Sequence, residues 1–223
     1  VQQLFGKNYS RIEMRKFAEV ALIPIYRQHG FLRAAFSEPV AELDPADSGK
    51  PAVFVTLPVQ EGLAYSWLRA DWLGQQSFTA DELSKTLGMH AYDLANGLRI
   101  DSGFEAVEKL FGTKGFLDVQ LHKEPVFDDT EKLVLYRVRV VEGPQYRMGQ
   151  FQIAGVSDHL ARQIRDLWKL QTGEVYNASY QESFLKGETR RVLGRAGGTA
   201  KHVNLRVDAD REARVVNVML EIN

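Results

Sequence analysis

The chain contains no cysteine. That excludes a disulfide scaffold, a cysteine metal site and a thiol nucleophile. It also suits an oxidising compartment, where a stray thiol is a liability. No charge sign dominates: 28 basic residues stand against 29 acidic ones, a formal charge of -1, with no long block of either. A broad electrostatic footprint for nucleic acid is therefore missing. The apolar runs all fall short of the roughly 20 residues that a membrane helix needs. The opening VQQLFGKNYS has neither the basic start nor the apolar core of a secretory signal. The chain thus reads as a cytosolic protein or as a mature segment of something larger. Catalytic signatures are absent as well. The five histidines, His29, His90, His122, His159 and His202, show no metal-ligand spacing such as His-Glu-x-x-His. There is no Gly-x-Gly-x-x-Gly and no Gly-Lys-Ser/Thr phosphate cradle. The adjacent acids Asp128 and Asp129 are what a hairpin turn uses. The expectation is a protein that is not an enzyme and uses no cofactor or metal.

What is present is a folded composition, 44% hydrophobic and 26% charged, and an internal repeat. Pro58 to Tyr65 reads PVQEGLAY and Arg139 to Tyr146 reads RVVEGPQY, so Glu61/Glu142, Gly62/Gly143 and Tyr65/Tyr146 are each 81 apart. The segment before each Glu-Gly alternates: Val53, Val55, Leu57, Val59, then Val134, Tyr136, Val138, Val140. A third set, Val216, Val218, Leu220 and Ile222, follows at a shift of 82, which would put a third Glu at position 224. Gly74 and Gly155 match at 81. A second frame agrees: Gly6 to Gly30, Gly88 to Gly115 and Gly173 to Gly197 are separated by 24, 27 and 24. Repeats at such a period define the architecture. Three modules are expected, over 1–62, 63–143 and 144–223, with the first cut short at its N-terminus.

The middle copy supplies the element order. Tyr65–Leu73 is aromatic-rich, ends at Gly74 and predicts a strand. Ser77 or Thr79 can cap the next helix, Thr79 having capping-box spacing to Glu82; the helix runs over Ala80–Leu87 and is stopped by Gly88. Asp101 or Ser102 starts a second helix, whose apolar stripe is Phe104, Val107, Leu110 and Phe111. Gly115 ends it. Leu117, Val119 and Leu121 alternate with polar residues as a half-buried strand, and Leu133–Val141 is the central strand. The fold class is therefore α+β: tandem β-α-α-β-β modules, each a three-stranded mixed sheet covered on one face by two helices. Val134, Tyr136 and Val138 join the helix stripe in the core, and Arg137 and Arg139 lie on the open face. In the third copy the helices are placed at 157–170 and 179–193, and the last hairpin at 202–207 and 214–222. In the first copy, 11–29 is the second helix, kinked or broken at Pro24. Strands follow at 31–43 and 52–60.

This pattern resembles a row of polypeptide-transport-associated (POTRA) domains, the periplasmic modules of the outer-membrane barrel assembly protein and its relatives. The resemblance rests on Gly30-Phe31 and Gly115-Phe116 after the second helices, on Glu61-Gly62-x-x-Tyr65 and Glu142-Gly143-x-x-Tyr146, and on Gly74 and Gly155. Gly198-Thr199 departs from the Gly-aromatic pair in the third copy. The resemblance implies a periplasmic location, with membrane attachment only through a barrel that these residues do not include. It implies binding of unfolded outer-membrane polypeptides and of periplasmic lipoproteins, and no nucleic acid. Extended chains would add to exposed sheet edges: Leu32, Ala34 and Phe36; Leu117, Val119 and Leu121; Val203 and Leu205. Gly62, Tyr65, Gly143, Pro144 and Tyr146 would form the inter-module junctions. The competing readings are a static scaffold that positions one partner, and the POTRA region of a secretion or import pore.

Overall fold

The computed structural model describes residues 9–44, 52–189 and 203–222. In chain order its elements begin with α1 (Arg11–Phe17), a π-helical turn (Ala18–Leu22) and α2 (Ile23–Gln28). Four short strands follow: β1 (Ala35–Phe36), β2 (Val40–Asp44), β3 (Ala52–Thr56) and β4 (Val59–Gln60). Then come β5 (Ser66–Leu73), α3 (Ala80–Leu87), α4 (Gly97–Gly112), β6 (Gln120–Asp128) and β7 (Leu133–Val141). The rest is β8 (Arg147–Ala154), α5 (Asp158–Leu167), α6 (Ala178–Phe184) with a π-helical turn (Leu185–Thr189), β9 (Val203–Asp210) and β10 (Val215–Ile222). The order β-α-α-β-β thus occurs twice. The class is α+β, with sheets of two or three strands ordered β1-β4, β2-β3, β5-β7-β6 and β8-β10-β9.

The chain divides into two compact units. One gathers Val1–Asp71, Leu87–Gly103 and Glu124–Arg137; the other gathers Trp72–Thr86, Phe104–Lys123 and Val138–Asn223. In the first unit, Ser10 caps α1 through its side chain. The helix expected over 11–29 is divided: Pro24 lies in the first turn of α2, just after the π-helical turn. Proline lacks the N–H for the preceding turn and its ring needs room, which the wider turn supplies. The strands expected at 31–43 and 52–60 are each broken into two pieces. Pro39 and Pro58, which lack an N–H for the ladder, stand in the gaps. β1 pairs with β4, and β2 with β3, both antiparallel. The middle copy's share of this unit packs Tyr65, Trp67, Ala95, Ile100, Val134 and Tyr136, all buried. Trp67 stacks on Tyr136 at 5.4 Å.

In the second unit β10 is central. It runs antiparallel to β9 from Val215↔Asp210 to Ile222↔Val203, and parallel to β8 with a register shift between Val216 and Val218. Asn217 serves that irregularity by accepting the Gln150 N–H at 2.9 Å. Val216, Val218, Leu220 and Ile222 are buried on one face with Ile164, Trp168, Tyr176 and Phe184. Each such side chain contributes about 1.5–3 kcal/mol by leaving water. The middle copy's share buries Trp72, Phe78, Leu83, Phe104, Val107, Phe111 and Val138.

Sequence and structure agree residue for residue at Ala80–Leu87 and Leu133–Val141. The capping box is present: Thr79 N–H donates to Glu82 at 2.8 Å and Glu82 N–H to Thr79 at 3.2 Å. Arg137 and Arg139 are exposed as expected. Other boundaries are corrected. α4 starts at Gly97, because the Asn96 side chain accepts the N–H groups of Leu98 and Arg99 at 3.0 and 3.1 Å. Leu110 is only half-buried, whereas Ile100 and Phe111 are fully buried. α5 ends at Leu167, since Trp168 turns extended and its indole donates to the Leu170 carbonyl at 2.8 Å. The later part of the helix expected to 193, the Gly198-Thr199 pair and His202 lie outside the described residues.

Candidate functional site

β6 forms one edge of β5-β7-β6 and β9 one edge of β8-β10-β9. Among the described residues neither outer edge is bonded to another strand. The edge strand expected at 117–121 is corrected to Gln120–Asp128. After α4 the chain first closes a turn, with Phe116 N–H bonded to the Phe111 carbonyl at 3.2 Å, and residues 117–118 continue it. Pro125 lies inside β6 and is exposed. A proline fits an edge strand where its donor-free nitrogen faces away from the sheet. Alternation then turns the backbone of Leu121 and Lys123 outward, and that of His122 and Glu124 toward β7.

The expected edge residues separate on this basis. Leu121 lies in β6 with its side chain buried, and Val119 lies just ahead of the strand, half-buried. Leu117 sits in the turn and packs against the cluster of Tyr146, Met148 and Tyr176. Val203 and Leu205 lie in β9; Val203 is 39% exposed, and Leu205 packs on that same cluster. Leu32 sits in a turn and Ala34 outside any strand. Phe36 is in β1, its ring edge-on to Tyr26 at 5.8 Å. Ala34 and Phe36 line an open groove of about 550 Å³ with Arg15, Ala18 and Glu38.

The linkers between β4 and β5 and between β7 and β8 repeat one construction. Tyr65 N–H donates to the Gly30 carbonyl at 3.0 Å, and the Tyr65 carbonyl accepts Ala95 N–H at 2.9 Å. Tyr146 N–H donates to the Gly115 carbonyl at 2.8 Å, and its carbonyl accepts Tyr176 N–H at 3.0 Å. Both rings are 1% exposed. The hydroxyls reach acids that the sequence had not paired with them, Asp129 having been read only as a hairpin-turn residue. Tyr65 donates to Asp129 at 2.7 Å, and Arg33 bonds both groups. Tyr146 donates to Asp118 at 2.6 Å, and Arg211 stands 3.4 Å from the same carboxylate. Arg33, then the Tyr65 hydroxyl, hold the Asp129 carboxyl below its usual range. Burial, then the bond to Asp129, pushes the Tyr65 hydroxyl up. Asp118 does this to Tyr146, with burial second. Gly62 and Gly143 have φ of 73° and 74°, a conformation that disfavours other residues. Pro144 is half-buried. The signal for the missed charges was present in the sequence: opposite signs at matching offsets from Gly30 and Gly115 and in the two hairpin turns.

Glu142 has a defined task. Its carboxylate accepts Gln76 N–H, Ser77 N–H and the Ser77 hydroxyl at 2.6, 2.8 and 2.6 Å, fixing the loop before α3. Burial alone would raise this carboxyl, but the donors outweigh it and hold it below the usual range. Among the described residues no three acidic or histidine side chains could hold a metal ion, and no helix is long and apolar enough to cross a membrane.

No family model matches the chain. It is 24% identical over 162 residues to a Treponema pallidum (strain Nichols) protein provisionally described as an outer membrane protein assembly factor. The match takes in 72% of this chain and only 19% of that relative. Among solved structures it is similar to POTRA domains 3–5 of BamA from Haemophilus influenzae, with TM-score 0.65 and 23% identity, covering 99% of this chain and 84% of that one. It is also similar to BamA from Haemophilus ducreyi lacking POTRA domains 1–3, with TM-score 0.51 and 16% identity over 72% of this chain and 29% of that one. The fold is that of tandem POTRA domains.

Proposed function

We propose that this chain, with its tandem POTRA fold, is a non-catalytic periplasmic region of an outer-membrane protein assembly or translocation factor. It comprises three modules, 1–62, 63–143 and 144–223, and it binds unfolded barrel precursors or accessory lipoproteins by adding their strands to its sheet edges. The observation that carries the reading is the outer edge of β6, whose backbone faces away from β7 at Leu121 and Lys123. Main-chain bonding at such an edge is largely independent of client sequence. Pro125 and Lys123 in the strand restrain uncontrolled pairing. β9 offers a second edge of the same kind.

The test is Lys123→Pro, which removes one outward donor, beside Lys123→Ala. The alanine variant controls for the side chain's position 5.1 Å over the Phe104 ring and its 4.0 Å approach to Glu108. Both variants are expected to fold, with only the proline variant losing affinity for an unfolded outer-membrane polypeptide. A folded Lys123→Pro protein that binds as well as Lys123→Ala would remove strand addition at β6 from the reading. Crosslinkers placed along Gln120–Lys123 in cells are expected to capture many clients. Capture of one folded lipoprotein alone would instead identify a static scaffold.

A further inference from the structure

We propose that the two linkers carry a charge-reversed clasp, so that each module accepts the neighbour it has and rejects the other. The inference rests on the three-module division proposed above and goes beyond the edge-binding reading.

Two positions define the clasp, and each can be matched between linkers on independent grounds. Arg33 and Asp118 each stand three residues after the positive-φ glycine that closes the preceding helix, Gly30 at 84° and Gly115 at 78°. Each also lies beside the glycine of the Glu-Gly pair: a Cβ on Gly62 would be 3.9 Å from Arg33 Cβ, and one on Gly143 would be 3.5 Å from Asp118 Cβ. Asp129 and Arg211 each open a hairpin turn that ends on a positive-φ residue, Lys132 at 55° and Arg214 at 56°. In both turns the preceding aspartate carboxylate, Asp128 or Asp210, accepts turn N–H groups. The positions are equivalent and the charges are exchanged.

The tyrosine between them adapts to the exchange. Tyr65 donates its hydroxyl hydrogen bond to the hairpin acid, Asp129; Tyr146 donates its own to the helix-side acid, Asp118. In each case the hydroxyl follows the carboxylate. At the first linker the Arg33 guanidinium also lies 4.8 Å from the Phe127 ring centre. Arg211 is 81% exposed, and Asp118 31%. Pairs this exposed contribute little to stability. Their value is discrimination, because a mismatched neighbour would set like charges face to face. An Arg33-type end against an Arg211-type turn would oppose two guanidinium groups over one tyrosine. An Asp118-type end against an Asp129-type turn would oppose two carboxylates.

The absence of native cysteine allows clean spin-labelling of the full chain. Label pairs at Val20/Tyr92 report on the first linker and pairs at Glu105/Asp208 on the second, and pulsed electron paramagnetic resonance reads the distance distribution. Asp129→Arg is expected to broaden the first distribution and leave the second unchanged. The double variant Arg33→Asp/Asp129→Arg is expected to restore the parental width. Asp118→Arg and Asp118→Arg/Arg211→Asp should behave likewise at the second linker. A single exposed pair shifts a docked-to-open ratio by up to about fivefold, within reach of this measurement. Unchanged widths in both single variants, or no recovery in the doubles, would overturn the clasp. A Gly-Ser insertion after Gly62 separates the two proposals. If the insertion broadens the distribution and charge reversal does not, only the clasp fails; if neither has an effect, the module division fails with it.

Discussion

Gly115→Ala puts a defined strain on the second linker. Gly115 is at φ 78° and is buried, and its carbonyl accepts Tyr146 N–H at 2.8 Å. An added Cβ would sit 2.6 Å from the Tyr146 carbonyl oxygen and 3.2 Å from that of Tyr176. Two costs follow. An L-residue in the left-handed region costs about 1–2 kcal/mol. Relieving the overlap means moving Tyr146 away and weakening the bond that its N–H makes, another 0.5–1.5 kcal/mol or so. The expected loss is about 1.5–3.5 kcal/mol. Gly173→Ala is the matched control, because Gly173 has φ 88° with nothing within 4 Å of an added Cβ. It should lose only the backbone part, about 1–2 kcal/mol. Urea unfolding followed by tryptophan fluorescence, extrapolated to water, measures both. Equal losses in the two variants would refute the claim that close approach at the linker, rather than backbone angle alone, requires glycine at 115.

Four further outcomes are expected. Phe111→Ala, at a fully buried ring, should cost about 3–5 kcal/mol, while Leu110→Ala beside it should cost under about 1.5 kcal/mol because its site is partly open; denaturant titration of both variants compares them. Asn96→Ala should lose about 1 kcal/mol by removing the cap of α4, and Asn96→Asp should retain most of it in the same titration. Burial pushes the Tyr176 hydroxyl up to about 12. The unfolded chain then releases its proton first, near pH 10, so stability should fall between roughly pH 10 and 12, and Tyr176→Phe should flatten that part of the pH–stability curve. Glu142 titrates below its usual range, so its contribution should be full above about pH 4.3 and lost as pH falls through the lowered value; Glu142→Gln should weaken the acid limb of the same curve.

Much of the fold was legible in local sequence. Ala80–Leu87 is bounded by a capping box and a glycine, and Leu133–Val141 is a long β-branched and aromatic run; both signals are made by neighbours in the chain and needed no tertiary contact. The α+β order and the repeat followed from spacing. Leu117 shows where local pattern stops. It alternates with Val119 and Leu121 as a strand residue would, yet it turns aside to pack on the cluster around Tyr146. Leu110 fits the helical stripe beside Phe104, Val107 and Phe111, but it is Ile100 that joins those three on the buried side. The start of α4 was settled by which polar side chain reached the free N–H groups, and Asn96 did so before Asp101. For the candidate site, the sequence determined that Gly62, Tyr65, Gly143 and Tyr146 recur in register and that glycine is needed there. Only the tertiary structure decided what the tyrosines hold. Arg33 and Asp129 are 96 residues apart in the chain. The charged positions recur at matching offsets, but their signs are exchanged and opposite charges attract at any sequence separation, so only folding showed which of them meet.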